Sequence, residues 1–285
     1  MNLLLRWKHY RLNLKERTHI MGILNVTPDS FFDGGKYLDK NKAIEHAIKM
    51  AQEGADIIDI GGESTRPYSR RISTDEEMER VIPVIEELSK YIDIPISIDT
   101  YKSQVAEEAI RAGASIINDI SAFRFDPKMP EVAAKANIPV ILMHMKGRPE
   151  NMQNNPVYKD IMSEIIYFLK QVKEQAINYG IKEEYIIIDP GIGFGKSIEH
   201  NLIIIKHLSS LSVLNSPILI GLSNKAFIAH IVGKECAQRE TGTMAAIACA
   251  VMNGANIIRV HNVKKALITV KIVDSIKRGK YAVMH

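Results

Sequence analysis

The segment GADIIDIGG, residues 54–62, carries the pattern that decides the fold. Its first glycine ends an amphipathic, helix-like stretch, and a short apolar run rich in isoleucine follows at once. The same order returns as GAS at 113–115 and as GAN at 254–256. Short apolar runs that alternate with amphipathic stretches are typical of parallel strands joined by crossover helices.

Eight apolar runs of this kind occur along the chain, and we interpret each as a strand. Their predicted bounds are 19–25, 56–61, 94–99, 115–119, 138–144, 185–189, 217–223 and 256–261. Eight strand and helix units predict an α/β fold that closes into a single (β/α)8 TIM barrel over residues 19–285. Residues 1–18 precede the first strand and are expected to form a small hairpin or cap at the N-terminal end of the barrel.

The composition excludes several classes of protein. The chain has 285 residues, of which 46% are hydrophobic and 25% charged, as in an ordinary globular protein. Its 37 Lys and Arg are dispersed among 33 Asp and Glu, so nucleic acid is not an expected partner. Cys236 and Cys249 lie in no zinc-binding pattern. The apolar runs are too short for a secretory signal or a bilayer span, so we expect no membrane partner and a cytoplasmic location.

Polar residues occur at or just after the C-terminal end of every predicted strand. In a (β/α)8 barrel this edge carries the active site, because the loops that follow the strands meet there. A single Asp or Asn at a strand end often only caps a helix or satisfies a turn, but convergence of many favours a polar small-molecule site. The residues concerned are Asn25, Glu63 with Thr65 and Arg66, Asp99, Asn118, His144, Asp189, Ser223 with Lys225, and Arg259 with His261.

The chemistry of part of this set suits a flat heterocycle. Asp99, Asn118 and Asp189 offer acceptors and donors to an amino-pyrimidinone edge. Lys225 and the planar guanidinium of Arg259 can bind or stack on the ring system. This combination favours a pterin or a purine.

A second group of polar residues suits an anion. Arg259 and His261 are two residues apart on one strand and face the same side, and with Asn25 they can hold a diphosphate and Mg²⁺. The segment DPGIGFGK at 189–196 matches neither phosphate-loop pattern, so its glycines are expected to let the backbone approach a flat ligand. Two apolar residues beside these strand ends are expected to pack on the bound ring, Met143 and Phe194.

The segments MGILNVTPDSFFDGG at 21–35 and GADIIDIGGESTRP at 54–67 resemble the first two motifs of the dihydropteroate synthase family. The resemblance covers almost the whole chain from about residue 20. It continues through SIDT at 97–100, IIND at 116–119, LMHM at 142–145, IIIDPGIGFGK at 186–196, a lysine-containing loop at 221–227 and IIRVH at 257–261.

The resemblance implies a transferase that joins a dihydropterin diphosphate to 4-aminobenzoate with the help of Mg²⁺ and releases pyrophosphate. It implies that Asn25 binds the metal and that Asp33, Arg66 and Lys225 are catalytic, with Asp33 and Arg66 on loops that close over the site. The substrate contacts that it implies are Thr65, Asp99, Asn118, Met143, Asp189, Phe194, Ser223, Lys225, Arg259 and His261. A homodimer is the expected assembly.

The chain departs from the family in two loops. Residues 223–227 read SNKAF where the family usually has Ser-Arg-Lys-Ser, so Asn224 and Ala226 replace an arginine and a hydroxyl. Residues 68–71 read YSRR where a glycine and small residues are common. We expect these changes to alter the affinity for 4-aminobenzoate or sulfonamide analogues without abolishing turnover.

Two other functions stay open from the sequence. A related pterin-barrel methyltransferase would share the pterin contacts, but it should lack the DGG sequence at 33–35. A non-catalytic pterin-binding barrel is suggested by the changes at 223–227 alone.

Overall fold

The structure is a computed structural model that describes residues 3–27, 36–65, 69–233 and 235–280, with the backbone alone at 36–39. The first described element is an antiparallel hairpin of β1 (Leu4–Trp7) and β2 (Tyr10–Asn13). The Tyr185 hydroxyl donates to the Arg6 carbonyl at 2.9 Å, and Lys8 Nζ donates to the Ala114 carbonyl at 3.4 Å. Tyr185 lies one residue before β8 and Ala114 two residues before β6, so the hairpin lies at the N-terminal end of the barrel. The division of the chain into two units at residue 18 stays a prediction.

Eight parallel strands form the barrel wall. They are β3 (His19–Asn25), β4 (Ile57–Gly61), β5 (Ile96–Asp99), β6 (Ile116–Asp119), β7 (Val140–Met143), β8 (Ile186–Asp189), β9 (Leu219–Gly221) and β10 (Ile257–Val260). Their order in the sheet is β8-β7-β6-β5-β4-β3-β10-β9, and a parallel bridge between Ile188 and Ile218 joins its two edges. The (β/α)8 barrel predicted from the sequence is therefore confirmed.

Prolines set the start of three strands. The predicted strands at 94–99, 138–144 and 217–223 began too early, because β5 starts after Pro95, β7 after Pro139 and β9 two residues after Pro217. Proline has no backbone N–H to donate to a neighbouring strand. Each of these prolines still accepts a backbone hydrogen bond at its carbonyl, so they mark the first contact of the strand with its neighbour.

Helices cover the outside of the barrel in the described part of the chain. They are α1 (Lys36–Gln52), α2 (Thr74–Leu88), α3 (Ser103–Ala112), α4 (Met129–Ala136), α5 (Ile161–Asn178), α6 (Ile198–Lys206), α7 (Ala226–Val232), α8 (Cys236–Met252) and α9 (Val263–Arg278), with 3-10 helices at Glu183–Tyr185 and Leu208–Leu214. Ser73 caps α2 by accepting from the Glu76 N–H at 3.1 Å. Of the helices that the structure describes, none has the length and apolar character of a membrane span.

Candidate active site

The strand register directs the predicted site residues to one side of the sheet. Residues paired in register share a side, as do alternate residues along one strand. Asn25 pairs with Gly61, Gly61 with Asp99 and Asp99 with Asn118, while Met143 pairs with Asp189 and Gly221 with Arg259. Arg259 on β10 reaches carboxylates on β4 and β5, which are not its neighbours in the sheet. This shared side is therefore the barrel interior.

Arg259 is the centre of a buried polar network at the C-terminal mouth. Its Nε donates to Asp59 Oδ2 at 2.6 Å, and its Nη2 donates to Asp99 Oδ2 at 2.6 Å. Asn118 Nδ2 donates to the same Asp59 oxygen at 3.0 Å. Burial lowers the pKa of the guanidinium, but Asp59 and Asp99 outweigh burial, so the pKa is raised and Arg259 stays charged. The edge of the guanidinium is thus fixed while its faces remain available for stacking.

Two oxygens of this network are unused acceptors. Asp59 Oδ1 and Asp99 Oδ1 are buried and have no hydrogen-bond partner within the described residues. Burial raises the pKa of Asp99 to about 7, with Arg259 acting in the opposite direction. A buried carboxylate oxygen without a donor is unfavourable, so both oxygens are suited to N–H donors of a ligand.

Asp59 is the member of this network that sequence reasoning missed. It lies inside the apolar run at 57–61, and its side chain is fully buried. The available signal was an acidic residue within an otherwise apolar strand, because such a group is rarely buried without a charged partner. Its partners, Asn118 and Arg259, lie 59 and 200 residues further along the chain.

Asp189 and Lys225 form the opposite side of the mouth. Asp189 Oδ1 accepts from the Gly191 N–H at 2.7 Å, and burial raises the pKa of the carboxyl to about 6. Burial lowers the pKa of Lys225 to about 8, and Asp189 opposes that change. Lys225 Nζ lies 4.5 Å from the centre of the Phe194 ring. A carboxylate, an ammonium and an aromatic ring are therefore available to a flat polar ligand.

The remaining described residues of the predicted set surround this centre. His261 Nδ1 lies 2.9 Å from Ser223 Oγ, and Asn224 Nδ2 lies 3.5 Å from the same ring nitrogen. Asn25, at the end of β3, and Thr65, in the loop after β4, are both half-buried. The side chain of Met143 belongs to a small buried apolar cluster with Tyr101, Ile120, Met145 and Met152. Phe125 and Phe194 pack against this cluster.

Three residues expected at the mouth do not belong to this described centre. Asp33 and Arg66 lie outside the described residues. His144 follows the inward-facing Met143 and so turns to the helix layer, where its ring meets Phe168 edge-on at 5.0 Å between centroids. The strand-end pattern alone did not separate the two sides of the sheet.

Comparisons with known proteins identify the family of the chain and support its fold. The family model of pterin binding enzymes matches residues 21–261. The dihydropteroate synthase of Bacillus subtilis is 47% identical over 264 residues, which are 93% of this chain and 90% of the relative. The Yersinia pestis dihydropteroate synthase, solved in complex with a sulfonamide drug, superposes with a TM-score of 0.91 at 42% identity, covering 96% of this chain and 99% of that one. The Xanthomonas albilineans dihydropteroate synthase with 4-aminobenzoic acid gives a TM-score of 0.88 at 41% identity, with coverages of 94% and 95%.

The chain is a pterin binding enzyme by the family model that matches most of its length. Within that family it belongs to the dihydropteroate synthases, which are transferases.

Proposed function

We propose that the enzyme joins (7,8-dihydropterin-6-yl)methyl diphosphate to 4-aminobenzoate, giving 7,8-dihydropteroate and pyrophosphate. The observation that carries this proposal is the buried polar set at the mouth, which combines unused carboxylate acceptors with Lys225 and the fixed guanidinium of Arg259. A pterin has adjacent amine and amide donors along one edge, and such donors match buried carboxylates.

In this proposal the pterin lies between the two sides of the mouth. Asp189 accepts from the amino-pyrimidinone edge, Asn118 and Asp99 bind the opposite edge, and Lys225 donates to the ring carbonyl. Arg259 stacks on the ring, because Asp59 and Asp99 hold its edge and leave its faces free. Since these groups are positioned before the substrate binds, little reorganisation is needed during the reaction.

The diphosphate is assigned to Asn25, Arg259 and His261, with Ser223 orienting the imidazole at 2.9 Å. In the described part of the chain, no three His, Cys, Asp or Glu side chains converge to hold a metal ion. Mg²⁺ commonly uses one or two protein oxygens together with substrate phosphates and water. The carboxamide of Asn25 fits a Mg²⁺ ion that binds with the diphosphate. Such an ion supplies charge neutralisation to the leaving group.

The reaction requires no covalent bond to the enzyme. The amine nitrogen of 4-aminobenzoate bonds to the exocyclic methylene carbon, the carbon–oxygen bond to the diphosphate breaks, and the amine gives a proton to solvent. Arg259 offsets the charge that develops on the departing diphosphate. We assign Asp33 to the positive charge that develops on the methylene carbon, and Thr65 and Arg66 to closure of the loops against competing water.

The proposal also includes the state of the protein in the cell. We infer that the protein is cytoplasmic and that it forms a homodimer. The homodimer is the expected assembly because two-fold assemblies are the commonest oligomers. The outer helices carry exposed apolar side chains, and three examples are Leu202, Ile231 and Met252.

A direct test follows the release of pyrophosphate from the pterin diphosphate with Mg²⁺, in the presence and absence of 4-aminobenzoate. We expect release that depends on the amine, with 7,8-dihydropteroate as the product. Pterin binding without amine-dependent release would contradict the proposed reaction and favour the non-catalytic barrel. The Lys225→Met variant is the control. Pyrophosphate release that persists in this variant would come from a reaction outside the site.

A further inference from the structure

Lys196, in the loop between β8 and α6, is a buried lysine that the proposed reaction does not use. Only 3% of the residue is exposed. Its Nζ lies 2.9 Å from His144 Nδ1, 3.0 Å from the Phe194 carbonyl oxygen and 3.2 Å from the His144 carbonyl oxygen. Burial lowers the pKa of Lys196 well below its usual value, and the charge of Asp189 opposes this change. When protonated, its ammonium group has one N–H donor for each of the three acceptors. A lysine is rarely buried to this extent, so this set of partners indicates a local role.

His144 is a neutral, firmly packed hydrogen-bond partner for Lys196. Burial lowers the pKa of its imidazole to about 2, and the neighbouring Lys196 acts in the same direction. The ring is therefore neutral, and in the tautomer protonated at Nε2 its Nδ1 accepts from the lysine. Because the ring also packs edge-on against Phe168 of α5, His144 ties the loop to the helix layer.

The loops after β7 and β8 touch through their backbones beside this pair. Gly191 has φ +70°, and a Cβ atom there would lie 1.9 Å from the His144 carbonyl oxygen. Gly195 has φ +65°, and a Cβ atom there would lie 2.3 Å from the Lys146 carbonyl oxygen. Both positions require glycine. The loop that contains Lys196 therefore packs closely, backbone against backbone, on the loop that follows His144.

The backbone on both sides of Phe194 is held by side chains from the loop after β7. Gln153 Nε2 donates to the Gly193 carbonyl at 2.6 Å, and the Tyr158 hydroxyl donates to the Gly195 carbonyl at 2.8 Å. Of the three consecutive carbonyls, only that of Phe194 accepts from Lys196. Lys196 therefore supplies the central bond of the series.

The position of Phe194 matters because its ring faces Lys225 Nζ at 4.5 Å. In addition, a Cβ atom on Gly193 would lie 3.2 Å from Lys225 Cδ, so the loop backbone also limits where that lysine stands. A shift of this loop moves both the ring and the lysine on one side of the mouth.

We propose that Lys196 is a positioning residue for the pterin site, which holds the Phe194 backbone against His144 so that the ring and Lys225 keep their places. The inference rests on the proposed function, because it assigns the pterin to the mouth. Lys196 contacts the His144 ring and two backbone carbonyls, and the proposal assigns it no contact with either substrate.

The test compares Lys196→Met with a matched control, Lys173→Met. Lys173 is also buried and donates to the Leu214 carbonyl at 2.6 Å and to Glu183 at 2.8 Å, but these partners precede β9 and β8 at the other end of the barrel. The probe is 7,8-dihydropteroate, whose affinity is measured by calorimetry, together with the KM for the pterin diphosphate, kcat and the melting temperature. We expect Lys196→Met to weaken binding and raise KM by about tenfold, with kcat changed less than about threefold. Lys173→Met should leave binding and KM unchanged.

Two variants of His144, the hydrogen-bond partner of Lys196, test whether the effect on binding depends on this contact. His144→Leu removes the acceptor and should weaken binding as Lys196→Met does. His144→Asn offers an oxygen near the position of Nδ1 and should restore affinity to within about threefold of the wild type. A purely structural role would lower the melting temperature of these variants without this pattern in binding.

The outcomes separate the inference from the proposed function. Wild-type affinity in folded Lys196→Met or in His144→Leu would overturn the positioning role. Failure of the wild-type protein to bind 7,8-dihydropteroate would instead overturn the proposed function.

Discussion

The two ends of the barrel carry buried carboxylates that differ in how completely their oxygens are paired. At the N-terminal end, Asp56 pairs with Arg17 and also accepts from the Ile20 N–H at 2.8 Å. Asp274 accepts from the Thr18 N–H at 2.7 Å and from the Thr18 hydroxyl at 2.9 Å. Both oxygens of each carboxylate therefore have donors.

At the C-terminal mouth the pairing is incomplete. Asp59 and Asp99 each use one oxygen for Arg259, and their Oδ1 atoms are buried without a partner in the described part of the chain. Completed networks hold a fold together, whereas unused buried acceptors destabilise the free protein and offer binding energy to a ligand. We therefore assign stability to the paired network at the N-terminal end and ligand binding to the incompletely paired network at the C-terminal mouth.

The largest effect that tests this comparison is expected from Asp189→Asn. The variant keeps an acceptor for the Gly191 N–H but loses the charge that would receive two pterin donors. Hydrogen bonds to a charged group contribute about 1.5 to 3 kcal/mol each, so kcat/KM should fall by about 10² to 10⁴. The melting temperature should not fall, because a buried charge is removed. Steady-state kinetics and thermal unfolding of the same preparation measure both quantities.

Asp119→Asn is the matched control for that variant. Asp119 is also a buried acid at a strand end, but it accepts from the Ser121 and Phe123 N–H groups, both at 2.8 Å, and shapes its own loop. It should lose stability with a much smaller change in kcat/KM. An Asp189→Asn enzyme with nearly normal kcat/KM would remove the basis for assigning ligand binding to the mouth.

The next largest effect is expected at the opposite end, from Asp56→Ala. This change leaves Arg17 and the Ile20 N–H without their acceptor, so the free energy of unfolding should fall by about 2 to 4 kcal/mol. Because the mouth is untouched, kcat/KM per folded molecule should stay within about threefold. Urea unfolding measures the first quantity. Glu53→Ala is the control, since its pair with the exposed Lys49 is 4.0 Å long and should contribute less than about 1 kcal/mol.

The fold was largely predictable because its signals are local. Alternation of apolar runs with amphipathic stretches identified all eight strands, and the rule that strand ends meet at one edge located the mouth. Errors in strand length came from residues such as Pro95 and Pro139, whose flanking apolar residues extend the pattern beyond the hydrogen-bonded strand.

The site was predictable only where a side chain lies at a strand end. Asp59 was missed because it interrupts an apolar run, and its partner Arg259 is 200 residues away in the chain. His144 was grouped with the mouth, although the two-residue period of its strand turns it outward. Lys196 was passed over within a glycine-rich segment, because its contacts with His144 exist only once two loops pack together. Pairing across the barrel is a property of tertiary structure that spacing does not encode.

The smallest expected effect concerns pH, and its sign differs between stability and binding. The pKa of Asp189 is raised by burial to about 6 from 3.8, so the folded state binds this proton more tightly than the unfolded state. The contribution of Asp189 to stability is therefore greatest below about pH 3.8 and declines as pH rises to about 6. Lys225, whose pKa is lowered by burial to about 8 from 10.5, disfavours folding below about pH 8, and this penalty is relieved between about pH 8 and 10.5.

Ligand binding should follow the opposite course on the acid side, because the proposed pterin contacts need Asp189 ionised and Lys225 protonated. Asp99, whose pKa is raised by burial to about 7, is assigned to the same ligand, so the affinity for 7,8-dihydropteroate should be greatest between about pH 7 and pH 8. It should fall on the acid side as Asp99 and then Asp189 become protonated, and on the alkaline side as Lys225 loses its proton, by about tenfold per pH unit for each group. Calorimetry from about pH 5 to about pH 9.5 measures the profile. Lys225→Arg keeps its charge at every pH tested, so it should lose the alkaline fall and retain the acid one. A flat acid side in the wild-type enzyme would mean that neither Asp189 nor Asp99 binds the ligand as a carboxylate, and Asp59 would then be the only carboxylate of the described network left to receive its donors.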